Sequence, residues 1–325
     1  MTALNLESID VTGQQFTPDV FPLVYGASSQ GANLDDLVNW CAAHKEELLE
    51  RLALHGTILL RGFPVVSDLD FDRLIQAFDL PNFAYVESLS NAVRRNRTPR
   101  VFTANEAPPS VSIYLHHEMA QTPIFPSRLF FFCEKAAQSG GATPLCRSDL
   151  LLRALEEERP EFVAACERLG VRYTNVMPAA EDVESGQGRS WRSTLQADDK
   201  QAAEAKLKSL GYSWEWRDDD SLKVTTPVLP AVRTLADGRK VFFNQLIAAF
   251  RGWQDKRNSP EKTIRFGDDT PISAQDMDCA IRIGDALSFD MAWKAGDVAL
   301  IDNFLVMHGR RPFEGERRVL ASLLA

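Results

Sequence analysis

The sequence predicts a mainly β fold, a sandwich or jelly roll with helical insertions, and two observations carry that expectation. Toward the C-terminus, short apolar segments at 222–226, 241–244, 298–302, 305–308 and 319–324 alternate with Gly and Pro turns, a spacing that suits short strands. Near the middle, Arg128, Leu129, Phe130, Phe131, Phe132 and Cys133 form an almost continuous apolar run between Pro126 and the Gly140, Gly141 pair. A run apolar at every position suits a central strand covered on both faces.

The remaining elements follow in order. Asn33 is placed to cap a helix whose apolar positions run to Ala53 and which Gly56 ends. Residues 57–60 then read as a buried strand before the turn Arg61, Gly62, Phe63, Pro64. Ser67 with Asp70 starts a second helix, with Phe71, Leu74, Ile75 and Phe78 on one face. Residues 81–127 are rich in Pro, Asn, Thr and Arg and predict long loops with brief strands, the kind of segment that carries function. Two helices share 148–169 on either side of Pro160, Gly170 precedes a strand at 171–176, and 198–210 reads as a further helix. With no repeat or linker, the expectation is one domain, 1–325, with a helical insertion at about 148–215.

Composition narrows the function classes. The 325 residues are 45% hydrophobic and 25% charged, values of an ordinary folded domain. A net charge of -9 argues against nucleic acid as the main partner, since phosphate binding needs a concentrated basic surface. Arg94, Arg95, Arg97 and Arg100 form a local basic cluster, expected to be a solvated loop, with a lip that attracts an anionic substrate as the alternative. Five cysteines with no CxxC pair predict reduced thiols. The N-terminus lacks a basic start and an apolar core, and no stretch has the roughly eighteen apolar residues of a membrane span, so a cytoplasmic protein without membrane contact is expected. Oligomeric state is left open.

Only five histidines are available to a metal: His44, His55, His116, His117 and His308. His44 and His55 fall in and at the end of the first helix, where surface or capping roles suffice. His116 and Glu118 are two apart, so on an extended backbone they share a face, while His117 points the other way. His308 ends a strand and is followed by Gly309; alone, it reads equally as a hydrogen-bonded core histidine. Two histidines and a carboxylate leave coordination positions open, which suits Fe(II) chemistry with a cosubstrate and oxygen and does not suit a closed structural zinc site. Arg317 and Arg318 follow nine and ten residues later. An arginine fork holds a carboxylate by two charge-assisted bonds, and on a strand only one of the two faces the site.

The ordered set of motifs resembles the taurine dioxygenase and clavaminate synthase-like group of Fe(II)/2-oxoglutarate oxygenases, including its syringomycin-pathway hydroxylase-like subgroup. The likeness spans most of the chain: RGFPV from Arg61, HHEMA from His116, RLFFFCEKAAQSGGATPL from Arg128, GRSW ending at Trp191, FNQ from Phe243, AGDVALIDN, and HGRRPFEGERRVL from His308. It implies a double-stranded β-helix, the cupin-type jelly roll. It implies His116, Glu118 and His308 as metal ligands, and Thr143 and Arg318 as contacts to 2-oxoglutarate, with Arg317 as the alternative arginine. The implied cofactors are Fe(II), 2-oxoglutarate and O2, with release of succinate and CO2.

Ser322 stands where taurine dioxygenase carries a second arginine, which argues against a sulfonate substrate. Glu118 disfavours halogenation, because related halogenases lack this carboxylate. The resemblance implies hydroxylation of an amino acid or amino-acid-derived natural-product intermediate, free or bound to a carrier protein; desaturation, cyclisation and epoxidation are the alternatives with the same cofactors. A metal-free binding module and a zinc hydrolase are the rivals from other classes. Tyr85, Glu87, Asn105, Trp191 and Asn244 are the candidate substrate contacts.

Overall fold

A computed structural model describes residues 4, 6–16, 18–27, 33–183, 185, 188–253, 257–258 and 263–325. The strongest β signal in the sequence forms the middle of its largest sheet. Strand Arg128–Lys135 lies between Val298–Asp302 and Arg318–Leu324, and the seven-stranded order continues outward through Thr57–Arg61, Leu23–Ala27 and Leu6–Ser8 on one side and Phe102–Thr103 on the other. All pairings are antiparallel except that between Leu23–Ala27 and Thr57–Arg61.

Alternation along Arg128–Lys135 explains why that strand is apolar throughout. Phe130 and Phe132 pack outward with Leu37, Leu52, Phe71 and Leu74 of the N-terminal helices. Leu129, Phe131 and Cys133 point inward, where they join Leu145, Val306 and Met291 of a second sheet. That second sheet has four strands in the order Phe289–Met291, Thr143–Arg147, Val306–Arg310, Ile113–His116. Its outer face, through Leu115, Cys146 and Met307, is covered by helices Ser148–Glu158, Pro160–Leu169 and Ala274–Ala286. Two sheets sharing one inner core form the jelly-roll sandwich. Phe132 is fully buried, so Phe132→Ala is expected to cost about 3–5 kcal/mol in a urea unfolding measurement.

Local signals account for the helix starts. Asn33 and Asp36 form a reciprocal capping box, as do Ser67 and Asp70. The first helix is two, Leu34–Ala43 and Lys45–His55, meeting at His44, whose ring stacks on Trp40. Two further helices occupy the C-terminal region read as strands and turns. Ser273 caps Ala274–Ala286 by accepting from Asp276 N, and Leu246–Gly252 follows a strand that runs only over Lys240–Val241. Within 148–216, helices Ser148–Glu158, Pro160–Leu169, Trp191–Leu195 and Lys200–Ser209 alternate with strands Val171–Met177 and Ser213–Trp216. Those strands join Leu222–Thr225 and Ile264–Phe266 in a separate four-stranded sheet. Among the described residues, no helix is long and apolar enough to cross a membrane.

Candidate metal centre

The second sheet brings the two sequence-distant histidines side by side. Val306–Arg310 pairs antiparallel with Ile113–His116 so that His308 lies opposite His116, and the ring centroids are 4.4 Å apart. Gly309 is needed there, since a Cβ would stand 2.4 Å from the Ile113 carbonyl oxygen. The strand ends at His116. Glu118 reaches the same side from a turn in which Met119 has φ 61, so the extended-chain argument for an i, i+2 pair holds only as far as His117.

Asn303 fixes that turn. Its Oδ1 accepts from Glu118 N at 2.8 Å, and its Nδ2 donates to the carbonyls of Glu118 at 3.0 Å and Pro126 at 2.7 Å. His117 points away and hydrogen-bonds through Nδ1 to the Asn303 carbonyl at 2.5 Å. Asn303→Ala is therefore expected to lower metal affinity by about tenfold without touching a ligand, measured by competitive chelator titration.

His116, Glu118 and His308 offer ligand atoms that all lie within 4.8 Å of one another, and among the described residues they are the one such group. Nδ1 of His116 bonds to the Tyr114 carbonyl at 2.8 Å, which leaves Nε2 for a metal. Burial, reinforced by His308, pushes the His116 imidazole down to about 3, so it stays a neutral lone-pair donor. Burial alone would raise the Glu118 carboxyl. Arg94 and the two histidines outweigh it and hold the group well below the usual carboxylate range. A neutral imidazole and an ionised carboxylate are the forms in which these residues bind a cation.

Above the triad is a cavity lined by Asn105, Phe131, Thr143, Arg310 and Arg317. Thr143 enters after the Gly140–Gly141 turn, both glycines having positive φ, and its hydroxyl accepts from Trp293 Nε1 at 2.9 Å. Arg317 donates from Nε to the Gly141 carbonyl at 3.0 Å and has no acidic partner among the described residues. Burial, with Arg310 alongside, pushes its guanidinium down to about 10. Arg310 is already spent on backbone, donating to the carbonyls of Asn105, Ala107, Pro108 and Val111 and so holding the loop over the cavity.

Arg318 lies elsewhere. Its side chain is half exposed and ion-paired with Glu134 at 3.2 Å and Glu316 at 3.4 Å. The physical reason is a register shift: Arg318 pairs with Lys135 but Val319 pairs with Cys133, so the alternation breaks between them. Of the two arginines, Arg317 faces the metal triad.

The substrate candidates scatter. Asn105 lines the cavity. Tyr85 is buried behind it, its hydroxyl on the Ala92 carbonyl and its ring under Arg94. Trp191 belongs to a separate core, edge-on to Trp216. Asn244 is buried, bonded to Ala231 and Leu246, and its carbonyl accepts from His117 N. The side chain of Glu87 lies outside the described residues.

The basic cluster also divides. Arg95 is exposed, and Arg97 pairs with Asp68 and Glu134 near the surface. Arg94 instead has a side chain only 7% exposed, and its Nη2 donates to both Glu118 oxygens at 3.0 and 3.1 Å. Nothing in the local sequence separates it from its neighbours. Arg310, by contrast, had a signal, standing two residues after His308 on the same strand and hence on the same face.

Two curated relatives cover most of the chain. A clavaminate synthase-like protein of Arabidopsis thaliana is 43% identical over 269 residues, 82% of this chain and 81% of the relative. The dapdiamide synthesis protein DdaC of Enterobacter agglomerans is 28% identical, over 94% of each chain. Among solved structures, PvcB of Pseudomonas aeruginosa superposes with a TM-score of 0.57 at 15% identity, over 99% of this chain and 91% of that one, which shows a common fold. Residues 14–324 match the model of the taurine catabolism dioxygenase TauD, TfdA family, and the chain therefore belongs to that family of Fe(II)- and 2-oxoglutarate-dependent dioxygenases.

Proposed function

We propose that this enzyme hydroxylates an unactivated C–H bond of an amino acid or an amino-acid-derived natural-product intermediate, free or held on a carrier protein. The observation that carries the reading is the pairing of an open His116, Glu118, His308 triad with a buried cation, Arg317, across one cavity. The relative named for dapdiamide synthesis supports a substrate of amino-acid type. Bound Fe(II), with 2-oxoglutarate and O2, supplies the oxidising power and yields succinate and CO2.

The chain's own part is to bind, orient and exclude water. His116, Glu118 and His308 would hold the metal, three protein ligands that would leave positions for a cosubstrate and oxygen. Arg317, whose Nε is used on the Gly141 carbonyl, would pair with the distal carboxylate of 2-oxoglutarate, as a cation that stays protonated at neutral pH. Thr143 accepts from Trp293, so its own proton is free to donate to the same carboxylate. Phe131, whose ring centroid lies 5.3 Å from that of His308, keeps one wall apolar and dry. Arg318, as a surface ion-pair residue, has no part in cosubstrate binding. Thr143→Val is expected to weaken 2-oxoglutarate binding by about three- to tenfold, the loss of one hydrogen bond, in an anaerobic titration.

We further read residues 1–325 as one domain acting on a small-molecule substrate. The described cysteines are all unpaired, which supports a cytoplasmic setting. The test is succinate release from 2-oxoglutarate by iron-loaded protein, run with and without O2 against a panel of amino acids. Hydroxylated product in step with succinate supports the reading. Turnover without O2 or 2-oxoglutarate contradicts it.

A further inference from the structure

We propose that Arg94 recognises the free α-carboxylate of an amino-acid substrate, bridging it to the metal-binding carboxylate Glu118. The proposal deepens the preceding reading and rests on it. Arg94 borders two adjoining hollows that share Asn105 and His116: the one with Thr143 and Arg317, and a second on the other side, lined by Glu118, Gln121, Gln245 and Trp253. With the cosubstrate in the first, the second would be the space left for a primary substrate beside the triad.

The guanidinium is built for a second anion. It lies over the rings of Tyr85, at 4.9 Å, and Phe102, at 5.4 Å, which fix its plane. Only Nη2 is used, on Glu118. Nε and Nη1 are buried with no hydrogen-bond partner among the described residues. Two orphaned donor nitrogens on a buried cation are costly unless an anion accepts from them; Nε–H and Nη1 lie on different edges of the guanidinium, so a carboxylate accepts from Nη1 alone or from Nη1 and Nη2 together along one edge.

Charge points the same way. The two hollows present three guanidinium groups, Arg94, Arg310 and Arg317, against one carboxylate, Glu118. A divalent metal and a dianionic cosubstrate cancel each other, so the excess positive charge persists in the loaded site. A substrate carboxylate offsets it. Gln121, whose Oε1 is buried and also without a partner among the described residues, lines the same hollow and offers an acceptor for the α-ammonium group. A carboxyl tied up as a carrier-protein thioester carries no charge for Arg94, so this geometry selects the free acid.

The experiment is anaerobic calorimetric titration of the protein loaded with Fe(II) and 2-oxoglutarate. The probes are the proteinogenic L-amino acids and their α-carboxamides, each matched pair giving a ratio of affinities. In the wild type, the preferred amino acid is expected to bind at least about tenfold tighter than its carboxamide, the worth of a charge-assisted hydrogen bond. Arg94→Gln should bring that ratio close to one. Arg94→Lys, which keeps a cation beside Glu118 but loses the planar fork, should give an intermediate ratio and guards against a folding defect in the glutamine variant. A wild-type ratio near one, a ratio unchanged in both variants, or no amino acid binding at all would overturn the assignment. Succinate release in the same wild-type preparation separates the two claims: its absence under O2 overturns the proposed function, while its presence with a ratio near one overturns only the role of Arg94.

Discussion

Arg317→Met is expected to weaken 2-oxoglutarate binding by about thirtyfold or more, whereas Arg318→Met should change it by less than about twofold. The first substitution leaves a bound carboxylate without its buried cation, a loss in the range of about 2–5 kcal/mol for a desolvated charge pair. The second removes a half-exposed ion pair with Glu134 and Glu316, worth at most about 1 kcal/mol of stability and nothing at the cavity. Methionine keeps most of the arginine's apolar stem, so that the packing of the stem beside Gly141 is retained while the guanidinium over Phe313 is lost. Anaerobic titration of the iron-loaded proteins with 2-oxoglutarate checks both. A large effect at Arg318 with none at Arg317 would reverse the assignment.

Glu118→Ala should abolish stable iron binding and, separately, destabilise the protein without metal. Removing one of three ligands leaves only the two imidazoles. It also strands Arg94, whose one hydrogen-bonded nitrogen depends on this carboxylate at a site that is 7% exposed on the arginine side. Breaking a buried ion pair from one side costs about 3–5 kcal/mol. Urea unfolding of the apoprotein should register that loss, and a double variant with Arg94→Met should recover much of it, because the stranded charge is then gone. An apoprotein of unchanged stability would mean that the Arg94–Glu118 contact does not hold in solution.

The parts of this architecture legible in the sequence are those with local physical causes. Asn33 and Ser67 announced their helices through capping boxes, and the apolar run from Arg128 announced a strand buried on both faces. The metal triad was legible because two histidines and one carboxylate had few competitors in a chain with five histidines. Arg317 against Arg318 was not, because simple alternation fails at the register shift between Arg318 and Val319. Arg94 was hidden by its neighbours: burial of one arginine in a run of four is decided by a contact with Glu118, 24 residues away. Trp191 carried the opposite hazard, an aromatic beside a family-like motif that turns out to fill a core with Trp216. The helix Ala274–Ala286 went unread amid strand signals, although Ser273 and Asp276 mark its start.

Metal stoichiometry tests the centre of this account most directly. Wild-type apoprotein titrated anaerobically with Fe(II) and 2-oxoglutarate, then desalted and assayed for metal, should retain one iron per chain. His116→Ala, Glu118→Ala and His308→Ala should each retain almost none. One iron per chain in any of the three variants, or none in the wild type, would contradict it.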